Sequence, residues 1–292
     1  MDNDNKQINP QDPWQNLTQF TPARIALGHV GISLPTHASL EFAHAHALAR
    51  DAVNIPLDFA NLEHRLNKLG YQTLILQTRA ENHRMYLQRP DLGRLLSVSA
   101  LACLRNTPQT NTDAVVVVAD GLSSKAIENH AEPFLSLLLP ELQAKDCTLP
   151  PVCLVKHGRV AIGDAVAEHF TARLCIVLIG ERPGLSAPDS MGIYFTYKAK
   201  SGISTDADRN CISNIHQNGL SYGQALKKLL YLINESEKLK LSGVNLKDQT
   251  TENETTDLRK DSNFLLGLID MTWSFHIRES LKIPSPSGRG LG

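Results

Sequence analysis

Three short segments gather the residue types that ligand chemistry asks for: Gly121-Leu-Ser, Lys156-His-Gly-Arg-Val160 and Gly180-Glu-Arg-Pro-Gly184. Their glycines expose backbone N–H and C=O groups, Glu181 adds a carboxylate, and the hydroxyls add small donors and acceptors. Such a set suits a large ligand studded with amides and hydroxyls. It does not encode a pyrophosphate-binding turn, because no G-x-G-x-x-G lies between a strand and a helix and no G-x-x-x-x-G-K-[ST] occurs. Cys211, in Arg209-Asn-Cys-Ile-Ser-Asn214, adds a thiol. Each of these residues also has a plainer reading. Glu181 would pair with an arginine on a solvated surface, and Cys211 would be a small buried hydrophobe. Asp120 would cap the helix that follows it, and Val160 would serve as packing. His44 and His46 lie two apart, hence roughly 200° apart around a helix, and cannot chelate one ion. They read as structural. There is no H-E-x-x-H and no G-x-S-x-G, so neither a metalloprotease nor a serine hydrolase is supported.

Composition narrows the partners. The 292 residues are 42% hydrophobic, enough for one large domain or two modest ones. Lys and Arg number 29 against 30 Asp and Glu, and a net charge of -1 gives no long-range attraction to nucleic acid or anionic lipid. The five cysteines are odd in number and contain no C-x-x-C, which argues against a disulfide framework or a zinc cage and for a reducing compartment. The N-terminus has no apolar signal core, and runs such as Ala114 to Ala119 are too short to span a bilayer. The expected location is the cytoplasm.

The elements that must position the three segments follow from the hydrophobic pattern. Residues 1–20 are a polar arm in which only Trp14, Leu17 and Phe20 keep helix-like spacing. Residues 21–102 read as a small helical N-terminal domain, with helix starts at Thr21-Pro22 and Pro35-Thr36 and a run from Asn61 that ends on Gly70. From 103 to 248 the pattern changes to α/β. Strands are expected at 113–119, 151–155, 173–179 and 191–197, and helices after Asp120-Gly121-Leu-Ser-Ser through Leu142, from Ala161 to Phe170 and from Ser221 to about Glu235. Strand-helix alternation predicts a parallel sheet with right-handed crossovers. Ligands in such sheets bind beyond the carboxyl ends of the strands, where the three segments fall. Residues 249–292 form an atypical tail, polar at first, then apolar from Phe264 to Phe275.

The order of several motifs carries a resemblance. Ala23-Arg-Ile-Ala-Leu-Gly28 with Gly31-Ile-Ser-Leu-Pro35, Ala49-Arg-Asp-Ala-Val53, Arg89-Pro-Asp-Leu-Gly-Arg94, Val118-Ala-Asp-Gly-Leu122, Ile179-Gly-Glu-Arg-Pro-Gly-Leu185, Pro188-Asp-Ser-Met-Gly-Ile-Tyr194 and Arg209-Asn-Cys-Ile-Ser-Asn-Ile215 follow one another. Together they resemble the small (light) subunit family of ethanolamine ammonia-lyase, from Thr21 to Asp248. The resemblance implies an adenosylcobalamin-dependent lyase that converts ethanolamine to acetaldehyde and ammonia by a radical route. It also implies a hetero-oligomer in which a large subunit holds the substrate and the small subunit lays a Rossmann-like domain against the corrin. By that resemblance the cobalamin contacts fall on Val160, Glu181 and Cys211, with no catalytic residue and no metal ligand in this chain. The absence of D-x-H-x-x-G fits a family that keeps the cofactor's own base on cobalt. The arm is the family's variable region and can direct the enzyme into a bacterial microcompartment; the tail after Asp248 has no counterpart in the family pattern. The rival readings are a non-catalytic structural subunit and an independent nucleotide-dependent enzyme, the latter opposed by the missing glycine fingerprint.

Overall fold

A computed structural model describes residues 14–21, 23–108 and 112–249. Most of the polar arm (1–13) and the tail beyond Gln249, with its run from Phe264 to Phe275, lie outside the described residues. The helices are α1 (Thr36–Asn54), α2 (Phe59–Lys68), α3 (His83–Gln88), α4 (Val98–Asn106), α5 (Ser124–Ala144), α6 (Ile162–His169) and α7 (Tyr222–Leu239). The strands are β1 (Thr73–Gln77), β2 (Ala114–Ala119), β3 (Val152–Lys156), β4 (Leu174–Gly180), β5 (Met191–Tyr197) and β6 (Arg209–Ile215). They form one six-stranded sheet in the order β1-β3-β2-β4-β5-β6.

The β-branched run of β2 is buried at every residue and lies between β3 and β4, as expected of a strand covered on both faces. Its side chains alternate. Val116 and Val118 pack with α2, α5 and α7, while Val115 and Val117 pack with α4 and α6. The chain steps from β2 to β3 through α5 and then back past β2 to β4 through α6. Right-handed crossovers in opposite directions put these helices on opposite faces, leaving a crevice at the carboxyl ends of the strands where the direction reverses.

The sheet departs from the all-parallel expectation. β1, β3, β2 and β4 pair in parallel, but β5 and β6 are antiparallel to their neighbours. The segment from Glu181 to Ser190 contains no helix, and without a crossover element the chain can only turn back beside β4. β1 lies inside the stretch read as helical and joins the sheet edge against β3. No helix forms over 23–35 after Thr21-Pro22; Val30 and Ser33 instead close a short bridge. Pro35-Thr36 does open α1, and α2 ends before Gly70, whose φ of 87° is left-handed. In the arm, Gln15–Phe20 make a short 3-10 helix.

Candidate functional site

The loop after β2 is built on Asp120. Its carboxylate accepts the backbone N–H of Gly121 (3.0 Å) and, from the loop after β3, those of His157 (3.0 Å) and Gly158 (3.2 Å). Burial pushes its pKa up, and these N–H bonds and the nearby His157 oppose that shift. Asp120 is therefore a clamp between two loops. The expected helix cap falls to Ser123, whose hydroxyl accepts from Ala126 N–H.

The loops after β2 and β4 meet backbone to backbone. Leu122 N–H donates to the Gly180 carbonyl at 3.0 Å, and a Cβ on Gly121 would stand 2.2 Å from that same oxygen. A Cβ on Gly180 would stand 2.1 Å from the Ser123 carbonyl. Both glycines are thus required by close approach, and Gly121 also by its φ of 64°. Clamp and interlock join all three segments into one floor.

On that floor lies a cavity of about 310 Å³ lined by Tyr86, Leu122, Arg159, Val160, Ile179, Gly180, Glu181, Arg182 and Tyr194. Each of the segments singled out from sequence contributes to it. Val160 stands just before α6, and Glu181 just after β4. The Glu181 carboxylate accepts from the Ser190 hydroxyl (2.6 Å) and from Asn214 N–H (3.1 Å), both through Oε2. It is half-buried and makes no ion pair with an arginine among the described residues, so the plain surface-pair reading does not hold. Gly192 makes room for it: a Cβ there would lie 2.8 Å from Oε1.

Cys211 is exposed, contrary to the buried-hydrophobe reading, because β6 is an edge strand and Cys211 alternates away from its buried Ile212. Its thiol lies 3.1 Å from the Ser213 hydroxyl. It lines a separate groove of about 480 Å³ with Asn210, Ser213, Lys228 and Asp248. Tyr194 connects the two places, since it lines the first cavity and is the cross-strand partner of Cys211. Burial raises the Tyr194 hydroxyl pKa, and the adjacent Cys211 adds to the effect. Arg209, at the start of β6, makes a bidentate bond to Asp164 in the first turn of α6 (2.6 and 2.7 Å), with both side chains almost wholly buried. α6, which follows the lining residue Val160, and β6, which pairs with the strand that carries Tyr194, are thereby fixed to each other.

Tyr86, Arg159 and Tyr194 were not anticipated as lining residues. Arg159 is adjacent to Val160, and Tyr194 closes Pro188-Asp-Ser-Met-Gly-Ile-Tyr194, so adjacency is their signal in the sequence; Tyr86 has none. His44 and His46 stand exposed on α1, and no cluster of three or more His, Cys, Asp or Glu among the described residues is placed to hold a metal.

A family model described as the ethanolamine ammonia-lyase light chain matches residues 11–247. Among curated proteins, the ethanolamine ammonia-lyase small subunit of Pseudomonas fluorescens (strain Pf0-1) is 52% identical over 267 residues, covering 89% of this chain and 96% of that protein. The same-named protein of Pseudomonas putida is 51% identical over 271 residues, covering 90% and 99%. That of Pseudomonas paraeruginosa is 48% identical over 260 residues, covering 88% and 95%.

Proposed function

The chain belongs to the ethanolamine ammonia-lyase light-chain family, and from that premise we propose that it is the small subunit of a hetero-oligomeric ammonia-lyase whose strand-end cavity forms one wall of an adenosylcobalamin site. The observation that carries this reading is the convergence of the three loops on one cavity with Val160 and Glu181 in its lining. The donor set fits a broad ligand fringed with amides. Glu181 is held through Oε2, which leaves Oε1 facing its neighbours as an acceptor for amide N–H groups. Val160 and Leu122 offer apolar contact, and Cys211 extends the wall past Tyr194 along β6.

When bound, adenosylcobalamin supplies the radical chemistry that turns ethanolamine into acetaldehyde and ammonia. This chain's residues orient it and exclude water, and the substrate belongs to the large subunit. Its α/β unit serves as a Rossmann-like cover in this reading, with no catalytic residue of its own. None of the described helices is long and apolar enough to cross a membrane. We place the complex in the cytoplasm or in a microcompartment within it; a fluorescent fusion of residues 1–22 that stays diffuse in compartment-forming cells would remove the second location.

The test is acetaldehyde release from ethanolamine and adenosylcobalamin by this chain, by a matching large subunit, and by the mixture. Activity is expected in the mixture alone. In that mixture Glu181→Gln should raise the KM for adenosylcobalamin about tenfold, the scale of one charge-assisted hydrogen bond, with the KM for ethanolamine unchanged. A cofactor KM untouched by both Glu181→Gln and Cys211→Ala would leave a purely structural subunit.

A further inference from the structure

We infer that Arg159 is a further cofactor-binding residue of this wall, its guanidinium directed to amide carbonyl oxygens on the rim of the corrin, and that Tyr86 and Gly93 position it. The inference rests on the reading of the cavity given above and names a contact that reading does not include.

Arg159 lines the same cavity as Val160 and Glu181. Its guanidinium carbon lies 4.1 Å from the centroid of the Tyr86 ring, and its Nη2 donates to the Tyr86 carbonyl at 2.9 Å. Its Nε is shielded and has no hydrogen-bond partner, and no carboxylate forms an ion pair with it among the described residues. A cation held over a buried ring, with donors left over and no ion-pair partner among the described residues, is organised before any ligand arrives.

The seat is built by a segment that the site otherwise does not use. Arg159 N–H donates to the Gly93 carbonyl at 2.9 Å. A Cβ on Gly93 would fall 2.9 Å from Arg159 Cγ and 3.1 Å from the His157 carbonyl, so only glycine lets the arginine stem lie where it does. The turn that carries Gly93 is braced by Arg89 and Asp91 (2.7 and 2.9 Å). This accounts physically for Arg89-Pro-Asp-Leu-Gly-Arg94, a motif that neither the cavity floor nor Glu181 explains.

The choice of an amide follows from the cavity's charge. A carboxylate and a guanidinium on one wall serve the N–H and C=O of primary amides, whereas Glu181 would repel the phosphodiester of a nucleotide tail.

The test uses the assembled complex with the large subunit and measures binding of cyanocobalamin by equilibrium dialysis, beside thermal melting and co-elution of the subunits. Arg159→Gln is expected to raise Kd roughly tenfold with assembly intact. Arg159→Lys, which keeps the charge and loses the planar fork, gives an intermediate loss and stands in if the glutamine variant does not assemble. Gly93→Ala weakens binding in the wild-type background and adds nothing to Arg159→Gln, a non-additivity that a general loss of stability would not produce. The ratio of variant to wild-type Kd should not change with salt; a ratio that shrinks at high salt would overturn the amide assignment in favour of the phosphodiester. If Glu181→Gln weakens binding and the Arg159 variants do not, this inference falls while the reading of the wall stands. If neither affects Kd, the wall itself is misassigned and both fall.

Discussion

Asp120 shows how a charged residue near a ligand site can be wholly occupied by the backbone. Its two oxygens satisfy N–H groups from the loops after β2 and β3, which have no sheet partners of their own at that point. Asp120→Ala should leave those donors buried and unpaired, lowering stability by about 3 kcal/mol or more, while Asp120→Asn, which keeps one acceptor oxygen, should cost less. Denaturant midpoints of the two variants check this; equal losses would show that the one acceptor oxygen Asn retains does not hold the clamp. Gly192 is the opposite case. The atoms nearest to a methyl there all belong to the Glu181 side chain, which can move at little cost to the fold. Gly192→Ala should therefore keep the melting temperature close to wild type and weaken cofactor binding, because the carboxylate is displaced from its position beside Ser190. An unchanged Kd would mean that the place of Glu181 is irrelevant.

At the scale of elements, the buried Arg209–Asp164 pair ties α6 to β6. Removing one partner strands a charge: Arg209→Met should cost about 3–5 kcal/mol, whereas Asp164→Leu with Arg209→Met should recover much of that loss. Urea titrations of the single and double variants decide between this and a pair whose halves act independently. The elements themselves differ in how plainly sequence announces them. β2, β3 and β4 were legible because strands buried on both faces must be unbroken apolar runs. β6 was not, since Arg209-Asn-Cys-Ile-Ser-Asn-Ile215 buries only Arg209, Ile212 and Ile215 and shows no strict alternation. β1 hid for a related reason: five residues, mostly half-buried, at the opposite edge. The site followed the same rule. Val160 and Glu181 are short-range consequences of strand ends and could be placed in one crevice from sequence. The exposure of Cys211 and the lining role of Tyr194 depend on β5 and β6 turning back antiparallel, and β6 has no strand pattern to announce it.

Across the whole molecule, the two ends of the sheet are held by different means. The carboxyl ends of β2, β3 and β4 rest on glycine contacts and loop hydrogen bonds, which leave surface for a ligand. The opposite end is fastened by charge. Arg173, just before β4, bonds Asp113 (3.1 Å) and Glu237 of α7 (3.0 Å), and Asp113 accepts from the N–H and hydroxyl of Thr148 (both 2.8 Å). These Thr148 bonds, with Arg173 nearby, hold the Asp113 carboxyl below the usual carboxylate range. Asp208, which accepts from the N–H and hydroxyl of Thr205 ahead of β6, is lowered in the same way. A carboxylate whose folded pKa lies below its unfolded value of about 3.9 contributes stability that is complete above that value and disappears as pH falls through the folded pKa. Both groups are partly or largely exposed, so each contribution is small and screened by salt. Melting temperature should accordingly stay level from neutrality down to about pH 4 with respect to these groups and then fall. Asp113→Asn should melt below wild type at pH 6, with the gap closing as the pH falls through the lowered carboxyl pKa and the wild-type carboxyl loses its charge. A gap of constant size across that range would mean that Asp113 fastens the strand starts by shape and hydrogen bonding alone, and that acid unfolding begins elsewhere in the chain.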